Sequence, residues 1–351
     1  MGSHVVVVGA GIIGASIAWH LVKQGASVTV VAGKAGGEAT PNSFAWINAS
    51  WGNPEPYFRF RVQSMAEWKR LAGELPGLPL DWCGGLCWDL PPDRLEAYAA
   101  EHGRWGYGLG RIGREEIAAR EPHLRNIPDF ALVATEEGAV EPVAATQRML
   151  ADLTARGGRL LTAEVTGFVT AREQVRGVVS SAGTIEADHV VLAAGAGSVP
   201  LAAGLGIDLP VNAAPSVIVH SRPVEKRLNG LVIVPDLEMR QTADGRLVGC
   251  SGHDADRSER EQAEEIFSRL RNMLSDAGDV EMEQAATGYR PIPEDGFPII
   301  GGVDAAPGLY VAVMHSGVTL APLVGRLAAE EILGAEQPLL SPFRLSRFSQ
   351  S

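Results

Sequence analysis

Arg290, Arg240, His253 and His315 are the side chains in this sequence best suited to meet a substrate. Arg290 stands in Gly288-Tyr289-Arg290-Pro291, and Arg240 lies in a strand-like run at 237–241 where it shares a face with Glu238. A guanidinium is planar, permanently charged and forked, so either arginine can hold a carboxylate through paired hydrogen bonds. For Arg240 an ion pair or a solvent-facing position is an equal reading. His253, just past the next strand end, reads either as a pocket residue or as structural. No Ser-His-Asp set or metal-ligand cluster appears. Cys83, Cys87 and Cys250 are an odd set, and the Cys-x3-Cys spacing of the first two matches neither a redox pair nor a usual zinc knuckle.

The second chemical signal is at the start of the chain. Gly9-Ala10-Gly11-Ile12-Ile13-Gly14 follows a buried strand at 5–8, opens a helix at 12–24, and is succeeded by a second buried strand at 28–31. In that setting Gly9 permits the tight turn, Gly11 lets backbone approach a pyrophosphate, and Gly14 lets helix and strand pack closely. The helix N-terminus adds free N–H groups and positive potential. Folds of this type usually grip the ribose hydroxyls with an acidic residue about 20 residues on. Here that position is Ala32, followed by Gly33 and Lys34. Glu38 or the Thr40 hydroxyl can substitute, and Lys34 can mark a 2′-phosphate.

The elements that must position these groups alternate in type. Helices are expected at 61–74, 93–101, 142–156, 258–276 and 319–333. Meander strands are expected at 163–170, 174–180 and 183–187, buried strands at 189–192 and 309–313, and three or four more strands between 215 and 250. The last ten residues read as a loose tail. Trp46, Trp51, Trp82 and Trp88 are core residues by default.

With 351 residues, 46% hydrophobic and 21% charged, the chain can bury a sizeable core as one large domain or two. Its 30 basic and 42 acidic residues leave a net charge of −12, which argues against nucleic acid as a partner. Three thiols in so long a chain suit a reducing, cytoplasmic setting. The longest uncharged run, 190–207, holds four glycines and a proline, which argues against a membrane span.

Four separated segments carry a family resemblance. The N-terminal unit resembles the FAD-binding unit of the D-amino-acid oxidase/glycine oxidase/sarcosine oxidase superfamily. Gly138-Ala139-Val140-Glu141-Pro142 resembles that family's entry to the helix returning to the FAD domain, and the run from Ala187 to Ser198 resembles its strand and glycine turn. Gly288-Tyr289-Arg290-Pro291 with the Asp295-to-Gly301 stretch, and His315-Ser316-Gly317-Val318-Thr319, are similar to its substrate strand and flavin loop.

The resemblance implies an α/β fold in which a Rossmann-like FAD-binding domain of glutathione-reductase type (1–50, 142–212 and 288–351) is intertwined with an antiparallel-sheet substrate domain (51–141 and 213–287). It implies FAD held at Gly9, Gly11, Ile12, Ile13, Gly14, Gly33 and Lys34, with Val165 at the adenine and Ala194 and Gly195 passing close by. Thr40, Asn42, Ser43, Ala45, Trp46 and Ile47 would lie along the flavin, and His315, Gly317, Val318 and Thr319 would face its pyrimidine end. Gly288 stands where sarcosine oxidases carry the cysteine bonded to flavin, so the cofactor is expected to be non-covalent.

By the same resemblance Arg290 takes the substrate carboxylate, Cα–H points at flavin N5, and hydride transfer yields an imine that water hydrolyses. His315 orients the flavin loop. Trp46 restricts the substrate side, which favours glycine or an N-substituted glycine, with glyoxylate and an amine released and O2 as acceptor. The rivals are a proline or D-amino-acid dehydrogenase reducing a quinone, an FAD-carrying subunit docking a partner through an apolar patch at 83–92, and an NAD(P)-dependent enzyme.

Overall fold

The β-branched runs at the start of the chain lie at the centre of a six-stranded sheet. Its order is Ile299–Gly302, Leu309–Val313, His189–Leu192, His4–Val8, Ser27–Ala32 and Arg159–Thr162, parallel apart from the first. The computed structural model describes residues 3–50 and 52–350, so Trp51 lies outside the described residues. Along His4–Val8 the side chains alternate: Val5 and Val7 join a cluster with Ile17, Leu21, Leu320 and Val324, while Val6 and Val8 join one with Val175, Val178 and Ala202. A parallel sheet covered on both faces requires such a continuous apolar strand. The covering layers are helices Ile12–Lys23 and Gly317–Ile332 on one side, and on the other the antiparallel meander of Val165–Ala171, Gln174–Ser180 and Gly183–Glu186.

Helix Glu55–Glu74 begins six residues before the expected start, because Pro54 sits at its N-cap and Pro56 occupies its first turn, where a missing N–H costs nothing. Phe58, Trp68 and Leu71 bury its apolar stripe in the same cluster as Gly317–Ile332, on the side of the glycine turn. That contact also repairs a defect. Pro322 inside Gly317–Ile332 cannot donate to the carbonyl of Val318, and Trp68 Nε1 donates to it instead at 3.0 Å.

A second sheet has eight strands in the order Met282–Pro293, Val211–Pro223, Arg246–Gly252, Leu237–Gln241, Leu231–Val234, Gly85–Cys87, Phe130–Ala134 and Leu109–Gly113. Its pairs are antiparallel except for Leu231–Val234 against Gly85–Cys87. Helix Glu259–Met273, started by a Ser258/Glu261 capping box, packs Ala263, Ile266, Phe267 and Leu270 on Val217, Val219, Met239 and Leu247. The opposite face carries Ile218, Ile233, Val248 and Cys87, joined by Phe44 from the loop after the glycine turn. A small sheet of Trp46–Ile47, Gly138–Val140 and Leu80–Asp81 links the chain's first fifty residues to this region.

Two expectations are overturned. The segment 83–92 is not an exposed apolar patch: Gly85–Cys87 is an interior strand, with Leu86 and Cys87 buried, because backbone pairing on both edges encloses it. The C-terminal segment is not loose. It forms two 3-10 helices, Pro338–Phe343 and Leu345–Gln350, with Leu340 and Phe343 buried, Arg344 paired to Glu331 and Arg347 paired to Asp295 at 2.6 Å. The uncharged run at 190–207 divides into a strand, a glycine turn and the short helix Ser198–Ala203, and no described helix is long and apolar enough to cross a membrane.

Candidate active site

The glycine turn is tight enough to exclude any side chain. A Cβ on Gly9, whose φ is +107°, would lie 2.4 Å from the Ala193 carbonyl oxygen, and one on Gly14 would lie 2.1 Å from the Gly9 carbonyl oxygen. The turns after His4–Val8 and His189–Leu192 therefore stand side by side, with Ala193 N–H donating to Val8 O at 2.9 Å. Helix Ile12–Lys23 starts here with Gly11 as N-cap and no acidic residue in its first turn, leaving its positive end for an anion. Thr40 Oγ1 accepts from Ile12 N–H at 3.1 Å, which ties Thr40 to the glycine turn rather than to Ala32, Gly33 and exposed Lys34 at the end of Ser27–Ala32. Gly195 (φ +59°) faces Pro291, next to Arg290, while Val165 opens the meander on the far side of the sheet. This bare turn at a strand end, where the chain passes to either side of the sheet, fits a dinucleotide pyrophosphate. Gly14→Ala is expected to destabilise the fold by ~3 kcal/mol, as overpacking against rigid backbone does. Thermal melts of the variant against wild type check this.

From the turn the chain runs through a loop, 42–50, held by one buried carboxylate. Glu137 is 0% exposed and accepts from Trp46 Nε1 at 2.9 Å, Tyr107 OH at 2.7 Å, Ser50 Oγ at 2.5 Å, and the backbone N–H of Ala49 and Ser50. Burial pushes its carboxyl above the ordinary value while these donors pull it down. The same loop meets the start of Gly317–Ile332: Thr319 Oγ1 donates to Trp46 O at 3.1 Å and receives Asn48 N–H. Arg61, 5% exposed, donates to Asn48 O at 3.0 Å, to Asn48 Oδ1 and to Ser316 Oγ at 2.6 Å. Gly317 packs against Ile13, so the N-termini of the first and last long helices converge. Ile47 is buried, Ala45 takes a positive φ of 63° with its N–H on Ser43 Oγ, and Asn42 lies against Gly288.

Arg290 lies on Met282–Pro293 on the same face as Gly288 and Ala286, so its side chain projects towards that loop. Its only described hydrogen bond is a long one, 3.4 Å from Nη2 to Pro215 O; Nε is buried without a partner, and no carboxylate pairs with it among the described residues. An arginine in that state has an open fork. His315 is half-buried beside it, and its pKa is lowered to about 4 by burial and by the charges of Arg290 and Arg61. Glu238 lies on the same face of the sheet as Arg290. Burial pushes its pKa up to about 7, with Arg290 opposing the rise. Burial also pushes the Cys250 thiol up to about 12 and Cys83 up to about 11, so neither supplies a thiolate near neutral pH.

Arg240 is the contrasting case. Its Nε donates to Phe44 O at 2.8 Å and its Nη1 to Glu141 at 2.8 Å, with the side chain 6% exposed. Of the two readings open for it, the geometry is that of an ion pair, and its fork is closed. His253 is half-buried beyond Arg246–Gly252 and makes no hydrogen bond among the described residues. Trp46 bonds its indole to Glu137 at 2.9 Å and lays its ring against Gly85. Sequence reasoning missed Glu137, Tyr107 and Arg61, whose partners lie far away in the chain. The signal available for Glu238 was alternation: Leu237 and Met239 enter the core under helix Glu259–Met273, which turns Glu238 to the other side.

A model of the family described as FAD dependent oxidoreductase (DAO) matches residues 4–331. Glycine oxidase from Bacillus licheniformis is 30% identical over 358 residues, spanning 94% of this chain and 92% of the relative. Glycine oxidase from Pseudomonas aeruginosa is 30% identical over 365 residues, spanning 97% and 98%. The crystal structure of glycine oxidase from Bacillus cereus superposes with a TM-score of 0.89 at 22% identity, over 98% of this chain and 99% of that one. The FAD is non-covalent: at position 288 a Cβ would stand 2.7 Å from Asn42 O, and glycine offers no sulfur for a flavin bond. With the glycine turn, the open Arg290 and these relatives in agreement, the chain belongs to the FAD dependent oxidoreductase family that includes D-amino-acid oxidase, glycine oxidase and sarcosine oxidase, and is an FAD-dependent amino acid or amine oxidoreductase.

Proposed function

We propose that this enzyme oxidises the Cα–N bond of glycine or an N-substituted glycine, releasing glyoxylate and an amine, with O2 as acceptor and H2O2 as by-product. The observation that carries the reading is the unpaired, forked Arg290 facing the loop 42–46. Two relatives at 30% identity that bear the name glycine oxidase support it. Arg290 would bind the carboxylate and thereby orient the adjacent carbon, which is much of what catalysis here demands. Trp46, braced by Glu137, would narrow the space at that carbon to a CH2. Bound FAD supplies the hydride acceptor.

The residues that would hold FAD are Gly9, Gly11, Ile12 and Ile13 at the pyrophosphate, Ala194 and Gly195 beside them, the loop 40–47, and Gly317–Thr319 at the positive end of the last long helix. Residues 1–50, 142–212 and 288–351 would form the cofactor unit and 51–141 and 213–287 the substrate unit, with Met282–Pro293 and Glu55–Glu74 crossing between them. His315, with a pKa of about 4, is too weak a base to deprotonate an ammonium, so the amine would react in its neutral form. The test is to mix holoenzyme with glycine, N-carboxymethyl amino acids, proline and D-alanine under air, recording flavin bleaching and peroxide. Bleaching by glycine compounds with stoichiometric peroxide is expected. Bleaching without peroxide, or by proline or D-alanine alone, rejects the reading.

A further inference from the structure

We propose that Glu238 reads the far end of the substrate, so that the preferred substrate is a glycine unit N-substituted with an alkyl arm ending in a cation, an ammonium or a guanidinium. The assignment rests on the reading that Arg290 anchors the glycine carboxylate.

Glu238 and Arg290 are opposite charges on one face of the eight-stranded sheet. Glu238 pairs across to Cys250, Cys250 to Ile218, and Ile218 to Ala286, and Arg290 lies four residues along from Ala286 on the same face. Glu238 feels the charge of Arg290, yet they form no ion pair, and the Glu238 side chain makes no hydrogen bond among the described residues. A half-buried carboxylate without a partner is unfavourable, and so is a guanidinium whose Nε is buried unpartnered. Here both lie on one face of the sheet and neither satisfies the other. A zwitterion long enough to bridge them satisfies both at once. Between them the face carries Cys250 and Ile218 on the intervening strands, with Phe44 packed in the same apolar cluster, which suits an alkyl linker. Asp89, after strand Gly85–Cys87, adds negative charge at the Glu238 end and so favours a cation over a second carboxylate there.

The experiment compares FAD-loaded wild type and Glu238→Gln on N-(ω-aminoalkyl)glycines and on N-alkylglycines of matched length and shape. In the wild type kcat/KM at the best chain length should favour the cationic member by about thirtyfold or more, as expected for a charge pair shielded from water. In Glu238→Gln, with flavin absorbance showing that the fold and cofactor are kept, the ratio should fall towards one. A wild-type ratio near one, or a ratio unchanged in the variant, overturns the Glu238 assignment while oxidation of the neutral members leaves the Arg290 reading standing. No oxidation of either series overturns both.

Discussion

Arg290→Ala should raise the KM for a glycine-type substrate by well over tenfold while the purified protein stays yellow. Truncating one member of a buried, hydrogen-bonded charge pair costs about 2–5 kcal/mol, and in the proposed complex the pair would be the substrate carboxylate on the open guanidinium of Arg290. The cofactor should be retained, because the glycine turn and the helix N-termini lie on other elements. Positioning adds a second signature: a carboxylate held loosely also misplaces the reacting carbon, so kcat should fall along with kcat/KM. Arg290→Lys keeps the charge but loses the fork, and should recover part of the affinity and less of kcat. The substitution to alanine also removes one of the two charges that depress His315, so that imidazole should titrate above its present value of about 4, readable by NMR. Unchanged steady-state kinetics in Arg290→Ala would falsify the role given to this residue.

The second large effect is on stability. Glu137→Ala should cost roughly 3–5 kcal/mol, the range for leaving buried charged or polar partners uncompensated. Five donors converge on this carboxylate, from Trp46, Tyr107, Ser50 and the backbone of Ala49 and Ser50, and burial denies them water as a replacement. The 42–50 loop loses its anchor along with them, so weaker FAD retention should accompany the lower melting temperature. Glu137→Gln keeps one acceptor oxygen and should lose less.

The pH dependence has a definite sign. Burial raises the folded-state pKa of Glu137 above its ordinary value, so this group's contribution is complete below that value and declines as pH rises through the raised one. Glu137→Gln should flatten that decline. Denaturant titrations at several pH values measure both effects, and a wild-type-like midpoint for Glu137→Ala would show that the loop is held by other means.

Local chemistry made much of the framework readable from the chain. The strand-turn-helix-strand unit at the N-terminus follows from β-branched runs, three glycines at set spacing and an apolar helix stripe, all acting between near neighbours. The meander strands, Leu309–Val313 and the helix capped by Ser258 are visible for the same reason. Arg290 could be singled out because its motif is short and contiguous.

Other features depended on contacts across the fold. An isolated look at 83–92 shows apolar residues and turns, and only backbone pairing on both edges makes it an interior strand. The last ten residues read as a loose tail, and the carboxylates of Glu331 and Asp295 hold Arg344 and Arg347 within that stretch. Two arginines of identical chemistry ended differently because Glu141 and the Phe44 carbonyl reach Arg240, whereas Arg290 meets one weak carbonyl. Residue type and spacing by themselves determined that this chain builds a dinucleotide turn and singled out arginines able to take an acid. Which guanidinium stays open and which carboxylate braces the loop were decided by tertiary structure, because burial and pairing join residues up to hundreds of positions apart.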